Sequence, residues 1–222
     1  MTNINQDKEE YAKAAMRHLH EEQLKRFIKE PLEEIIGPLL KGEGIPGSLL
    51  VDVMMLLIFV HINLLGYLSL GNDKTANAVK FFREYLGKID ARYKEVGGLL
   101  YHMLRHGWIH RFTPKRLKLN DGTILDFQYS YNMNREQHLK MVEIQGAKRL
   151  LISLSLLYND LFSAIDLFAV DISHNQELSN IFKKAFETRR KPEEENDIRV
   201  RYKSYLRDSD FDFIYRLLNE GH

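Results

Sequence analysis

The sequence predicts a mainly α-helical protein, a helical bundle around a buried central helix at about 49–70, with a small β-hairpin or three-stranded insertion at about 115–145. Three observations carry this prediction. Residues 49–70 are almost continuously apolar. The segments around them place apolar residues at i, i+3, i+4 and i+7, the spacing of one helix face. Only the stretch after Pro114 changes to alternation, with Leu117 and Leu119 before Asp121-Gly122 and Leu125, Phe127 and Tyr129 after it, which is the pattern of two strands joined by a tight turn.

Taken in order, residues 7–29 carry Met16, Leu19, Leu24, Phe27 and Ile28 at helical spacing, and Pro31 is expected to end that helix. Residues 30–47 then read as a short apolar turn, Leu32 to Leu40, and a loop rich in Gly and Pro. The central helix starts near Ser48, a suitable cap. Its length suits a membrane span, but Asp52, His61 and Asn63 argue for the middle of a bundle and against a membrane. Asp52, Asn63 and Gly66 form a polar stripe along it, within about 40° at 100° per residue. A third helix at 73–89 shows Ala76, Val79, Phe82 and Leu86, with Asp73 able to cap it. The fourth runs from Ala91 to His106 on Val96, Leu99, Leu100, Met103 and Leu104, leaving Tyr101, His102, Arg105 and His106 to another side. A third strand is expected at about Leu139 to Ile144. Helices at 147–170 and 175–188 follow, then a charged loop from Arg189 to Glu195, then a terminal helix on Phe211, Ile214 and Leu218.

At 222 residues one domain is the expectation: an N-terminal helix and loop (1–47), core helices (48–111), a β insertion (112–146), C-terminal core helices (147–188) and a charged loop with a terminal helix (189–222). The chain has 32 Lys and Arg against 31 Asp and Glu, so polyanion binding has to come from local clustering. The absence of Cys excludes thiolate metal sites, disulfides and cysteine catalysis. The opening residues, Met1 to Lys8, have neither the basic start nor the apolar core of a secretory signal, so the expected location is cytoplasmic. Phosphate-binding glycine loops and a Gly-x-Ser-x-Gly nucleophile turn are missing, and no cofactor is expected.

Local clustering occurs in one place. Residues 96–120 contain no Asp or Glu, yet they hold Arg105, His106, His110, Arg111, Lys115, Arg116 and Lys118. Arg105 and His110 are five residues apart and would diverge by about 140° on an unbroken helix. Gly107 and Pro114 favour a helix end there, which lets His110 fold back toward Arg105 and both converge on one anion.

Arg105-His106-Gly107-Trp108-Ile109-His110 resembles the signature of the HEPN superfamily: Arg, then Asn, Asp or His, a short gap, then His. That resemblance implies an all-helical, usually dimeric bundle acting as a metal-independent endoribonuclease, or an RNA-binding relative of one. His110 and Arg105 would be catalytic and His106 would assist, with Arg111, Lys115, Arg116 and Lys118 holding the RNA backbone and products ending in cyclic phosphate. Asp52 or Asn63 on the central helix is the candidate for orienting Arg105 or a His. The longer run Arg105, Gly107, His110, Phe112, Pro114, Lys115 also looks like a stretch of small uncharacterised bacterial proteins, which implies no function.

Other readings stay open at this level. Arg105 and His106 suit the last turn of a helix simply as cations at its negative end. His102, His106 and His110 recur every four residues, a spacing compatible with a metal-dependent hydrolase, although no third helical ligand or adjacent Glu completes such a site. The last reading is a non-catalytic interaction module, a homodimer or a binder of a protein partner through the β-hairpin or the C-terminal helix.

Overall fold

In the computed structural model the described residues are 22–40, 47–105, 107, 115–131, 133–144, 146–189, 191–204 and 206–220. They form a mainly helical protein with one small mixed sheet, divided into two compact units, 1–185 and 186–222.

The first described helix does not stop at Pro31. A π turn, Lys25–Lys29, leads directly into α1 (Glu30–Leu40), so the stretch Leu32 to Leu40, expected as a short apolar turn, is part of a continuous helix. Glu30 N–H bonds Lys25 O across that wider turn, just before the ring that has no N–H to give. Widening one turn is how a helix accommodates a proline without breaking. Leu24, Ile28, Leu32 and Ile36 form one fully buried stripe through it.

The central helix, α2 (Gly47–Leu70), is as expected and is long and apolar enough, by length and composition, to cross a membrane. It is packed within the protein through Met54, Met55, Ile58, Phe59, Ile62, Leu65 and Leu68, all at or near zero exposure. His61 satisfies itself by donating Nδ1–H to Leu57 O at 2.8 Å. Gly66 has a steric role: a Cβ there would meet Ala78 N of the next helix at 2.5 Å.

That next helix, α3 (Thr75–Phe81), continues through a π turn, Phe82–Leu86, to Gly87–Ile89. Asp73 does not cap it; the N-cap is Lys74, which makes no side-chain cap bond. The corner is closed by Asn77 Nδ2, which donates to the carbonyl and side-chain oxygens of Asn72 at 2.7 and 2.9 Å. Helix α4 (Arg92–Leu100) also passes into a π turn, Tyr101–Arg105. The change of pitch rotates the end of the helix, so Tyr101, expected on another side from the apolar face, is buried with Leu104 and Met103.

The β insertion is larger than expected. Strands β1 (Leu117–Lys118), β2 (Ile124–Ser130), β3 (Met141–Ile144) and β4 (Ala147–Ser153) form one sheet in the order β1-β2-β4-β3. The Asp121-Gly122 turn is present, with Gly122 at φ +87° and Thr123 N–H donating to Asp121 Oδ1 at 2.8 Å. Residues 147–153, expected as the start of a helix, are instead β4, parallel to β2 with Phe127 beside Leu150 and Tyr129 beside Ile152. Alternate burial of Leu150 and Ile152 explains this, because a period of two places both on the covered face of the sheet. The helix begins only at Leu154, where Ser153 Oγ accepts from Leu156 N–H.

Helix α5 (Leu154–His174) buries Leu157, Leu161, Ala164, Ile165 and Phe168, and α6 (Gln176–Thr188) adds Phe182 and Ala185. Phe81, Tyr85, Phe168 and Phe182 interlock edge to face and in stacks at centroid distances of 4.8 to 6.1 Å. The second unit contains α7 (Glu195–Arg201) and α8 (Asp208–Glu220), joined by Arg199, which lies 3.8 Å over the Phe211 ring and bonds Glu195 and Asp208.

Candidate functional site

Arg105 ends the π turn of α4, half-buried, and its Nε is enclosed with no hydrogen-bond partner among the described residues. A buried guanidinium N–H without an acceptor is costly, so an unfilled donor of this kind marks a place where an acceptor fits. Lys115 N–H donates to Met103 O at 3.1 Å, so the chain leaves at Arg105 and is back against the same turn at Lys115. His106, His110 and Arg111 lie outside the described residues, as do Trp108 and Ile109.

Around Arg105, the Tyr101 hydroxyl donates to Asn63 Oδ1 at 2.8 Å. Burial pushes the Tyr101 phenol above its usual pKa, and the positive charge of Arg105 acts in the opposite direction. Asn63 thus reaches the site through Tyr101, with no hydrogen bond to Arg105 itself. Asp52 is eleven residues back along α2, about 16 Å at 1.5 Å per residue. Its charge is felt by Tyr129 of the sheet, and burial raises its carboxyl pKa. The structure therefore brings Asn63 toward Arg105 and leaves Asp52 elsewhere. Among the expected backbone-binding cations, Lys115 and Lys118 have no acidic partner among the described residues, while Arg116 Nε lies 3.5 Å from Asp126 Oδ2 on β2. His102 is exposed on α4, and no group of metal-ligating side chains occurs among the described residues.

A second polar constellation was not foreseen. Asp160, 2% exposed on α5, receives Arg135 Nη2 on Oδ1 at 2.7 Å, Arg135 Nη1 on Oδ2, and the Tyr93 hydroxyl on Oδ2 at 2.8 Å. Tyr93 Oη also lies 2.7 Å from His138 Nε2, and Ser153 N–H donates to His138 Nδ1 at 2.9 Å. A backbone N–H can only donate, so Nδ1 is bare and the imidazole is the neutral Nε2–H tautomer. The chain of donors runs from His138 through Tyr93 to Asp160. Burial holds the His138 pKa down at about 4 and raises the Tyr93 phenol. Arg92 closes the outside, donating to the carbonyls of His138 and Arg135 and to the Asp90 carboxylate.

Every side-chain polar atom of His138, Tyr93 and Asp160 is used, and His138 is fully buried, so the chemistry of the cluster is fastening: it ties the loop after β2 to α4 and α5. Leu139, held at φ +61°, shows how firmly. Such a backbone costs a branched residue about 1–2 kcal/mol and persists only where neighbours over-determine it. One signal in the sequence announces the cluster: Asp160 falls between Leu157, Leu161 and Ala164, in register with the buried seam of α5.

Comparison of the chain with family models, with curated proteins and with solved structures finds no match. The functional reading therefore rests on this chain's own residues.

Proposed function

We propose that the protein is a HEPN-like, metal-independent endoribonuclease or an RNA-binding relative of one. The observation that carries the reading is the enclosed, unpartnered Nε of Arg105 at the end of a core helix, where the chain returns at Lys115. A phosphoryl oxygen supplies the acceptor that this donor lacks, and the acid-free window keeps competing carboxylates off the local sequence. In the mechanism that the resemblance implies, His110 exchanges a proton with the ribose 2′-hydroxyl or the leaving 5′-oxygen, Arg105 stabilises charge developing on phosphorus, and His106 assists. Lys115 and Lys118 hold flanking phosphates. Tyr101 and Asn63 pack the base of the Arg105 side of the site.

The test is purified protein incubated with mixed RNA in chelator, beside Arg105→Ala and His110→Ala variants. Wild type is expected to cut and leave cyclic phosphate ends, with each variant slower by at least about 10²-fold, the usual loss for removing a catalytic acid–base or charge-stabilising group. Intact RNA with wild type, or equal cutting by both variants, rejects the enzyme reading.

A second reading has its own support. On α8, Phe213, Ile214, Leu217 and Leu218 are 48 to 63% exposed, an apolar face compatible with a non-catalytic module that binds a protein partner or a second copy of the chain.

A further inference from the structure

The exposed side of α4 carries basic side chains on the stretch of chain that ends at Arg105. Lys94 and Gly98 are spaced i and i+4 and share one side of α4, which then passes through the π turn that ends at Arg105. Gly98 leaves a bare patch on that side, and Arg83 from the π turn of α3 fills it. A Cβ on Gly98 would meet Arg83 Nη2 at 2.7 Å, so the guanidinium lies against α4 at Gly98, about one turn beyond Lys94.

Two charges on this side of the helix have no acid to pair with among the described residues. Arg83 and Lys94 line a groove of about 480 Å³ with Glu84, Tyr85, Lys88 and Asp171. Both acids in it are already taken. Glu84 sits 3.7 Å from Lys80, and Asp171 sits 2.8 Å from Lys88. Among the described residues Arg83 and Lys94 have no acidic partner, which leaves two surplus cations beside the approach to Arg105. A planar guanidinium and a point ammonium in line, on a rigid helical surface, suit successive phosphates of a flexible strand.

We propose that Lys94 and Arg83 form a track for the phosphate backbone of single-stranded RNA, delivering the strand to Arg105. This deepens the ribonuclease reading and depends on it. The track binds backbone charge and carries no base specificity.

The experiment measures binding of a fluorescein-labelled single-stranded RNA of about twelve nucleotides by anisotropy over a salt series, in chelator, with His110→Ala as the non-cutting background. Each single-strand phosphate contact contributes about 0.7 to the slope of log K against log salt, so Arg83→Gln with Lys94→Gln is expected to flatten it by about 1.4 and weaken binding about tenfold or more at low salt. Each single change is expected to give about half that loss of slope, and Arg83→Lys to retain it. A control pair on α6, Lys183→Gln with Lys184→Gln, is expected to leave the slope unchanged. If the background protein binds RNA and the double variant keeps its slope, the track is wrong while the site at Arg105 stands. If the protein neither binds nor cuts RNA, the ribonuclease reading fails and the track with it. Equal binding of heparin and RNA, lost together in the double variant, overturns RNA as the ligand of this surface.

Discussion

His138 shows how a single titratable side chain acquires a pH-dependent share of stability. Its folded pKa, about 4, lies below the value near 6.5 of an exposed imidazole, because burial opposes the charged form and Ser153 N–H occupies Nδ1. Between those values the unfolded chain binds a proton that the folded chain refuses, so this contribution is whole above about pH 6.5 and is lost progressively as pH falls toward about 4. Its full size is roughly 3 kcal/mol by the linkage relation. Urea midpoints measured across that window are expected to fall more steeply for wild type than for His138→Gln; parallel curves would mean that the imidazole is protonated in place. Arg105 offers the contrasting case of a buried donor left open, whereas at His138, Tyr93 and Asp160 every bond is closed within the protein. That contrast separates the candidate site from the fastening cluster.

At the scale of elements, close approach decides more than polarity. Gly66 reads in sequence as part of a polar stripe on α2, but its place is fixed by the Ala78 backbone lying where a side chain would begin. Gly66→Ala is expected to destabilise the fold by about 1–3 kcal/mol or more, since backbone cannot step aside as a flexible side chain can. A denaturant midpoint unchanged from wild type would show that α2 and α3 are further apart than described. The π turns matter in the same way. Those at Lys25–Lys29 and Tyr101–Arg105 let one helix run into Pro31 and rotate the buried face of another, and a five-residue hydrogen-bond step has no signature in apolar spacing. Strand β4 had its own ambiguity: Leu150, Leu151 and Ile152 satisfy a helical stripe and a strand face alike, and the partner that settles it, β2, is distant in sequence. The hairpin was legible because Asp121-Gly122 and the strands it joins are neighbours along the chain.

Across the whole molecule, burial is uneven. The first unit holds the aromatic interlock and the polar cluster, whereas no described side chain from 187 to 218 is buried. Opening energies follow buried apolar contact, so amide hydrogen exchange is expected to be fast from α7 onward and slowest in α2 and α5. Protection in α8 equal to that in α5 would show that the apolar face of α8 is covered in solution. For the site itself, sequence supplied Arg105 and the acid-free stretch of chain that contains it, and the pairing of Asn63 with Tyr101 or the seating of Arg83 on Gly98 was invisible to it. By itself the sequence determined the helical class, the central apolar helix, the Asp-Gly hairpin and the position of the cationic window, all of which are set by local spacing and composition. Only the tertiary structure decided that 147–153 pairs as a strand, that Asp160 gathers Arg135 and Tyr93, with His138 behind Tyr93, and that Arg83 is seated on Gly98. Those outcomes depend on contacts between residues far apart in the chain, where packing and burial override what neighbouring residues prefer.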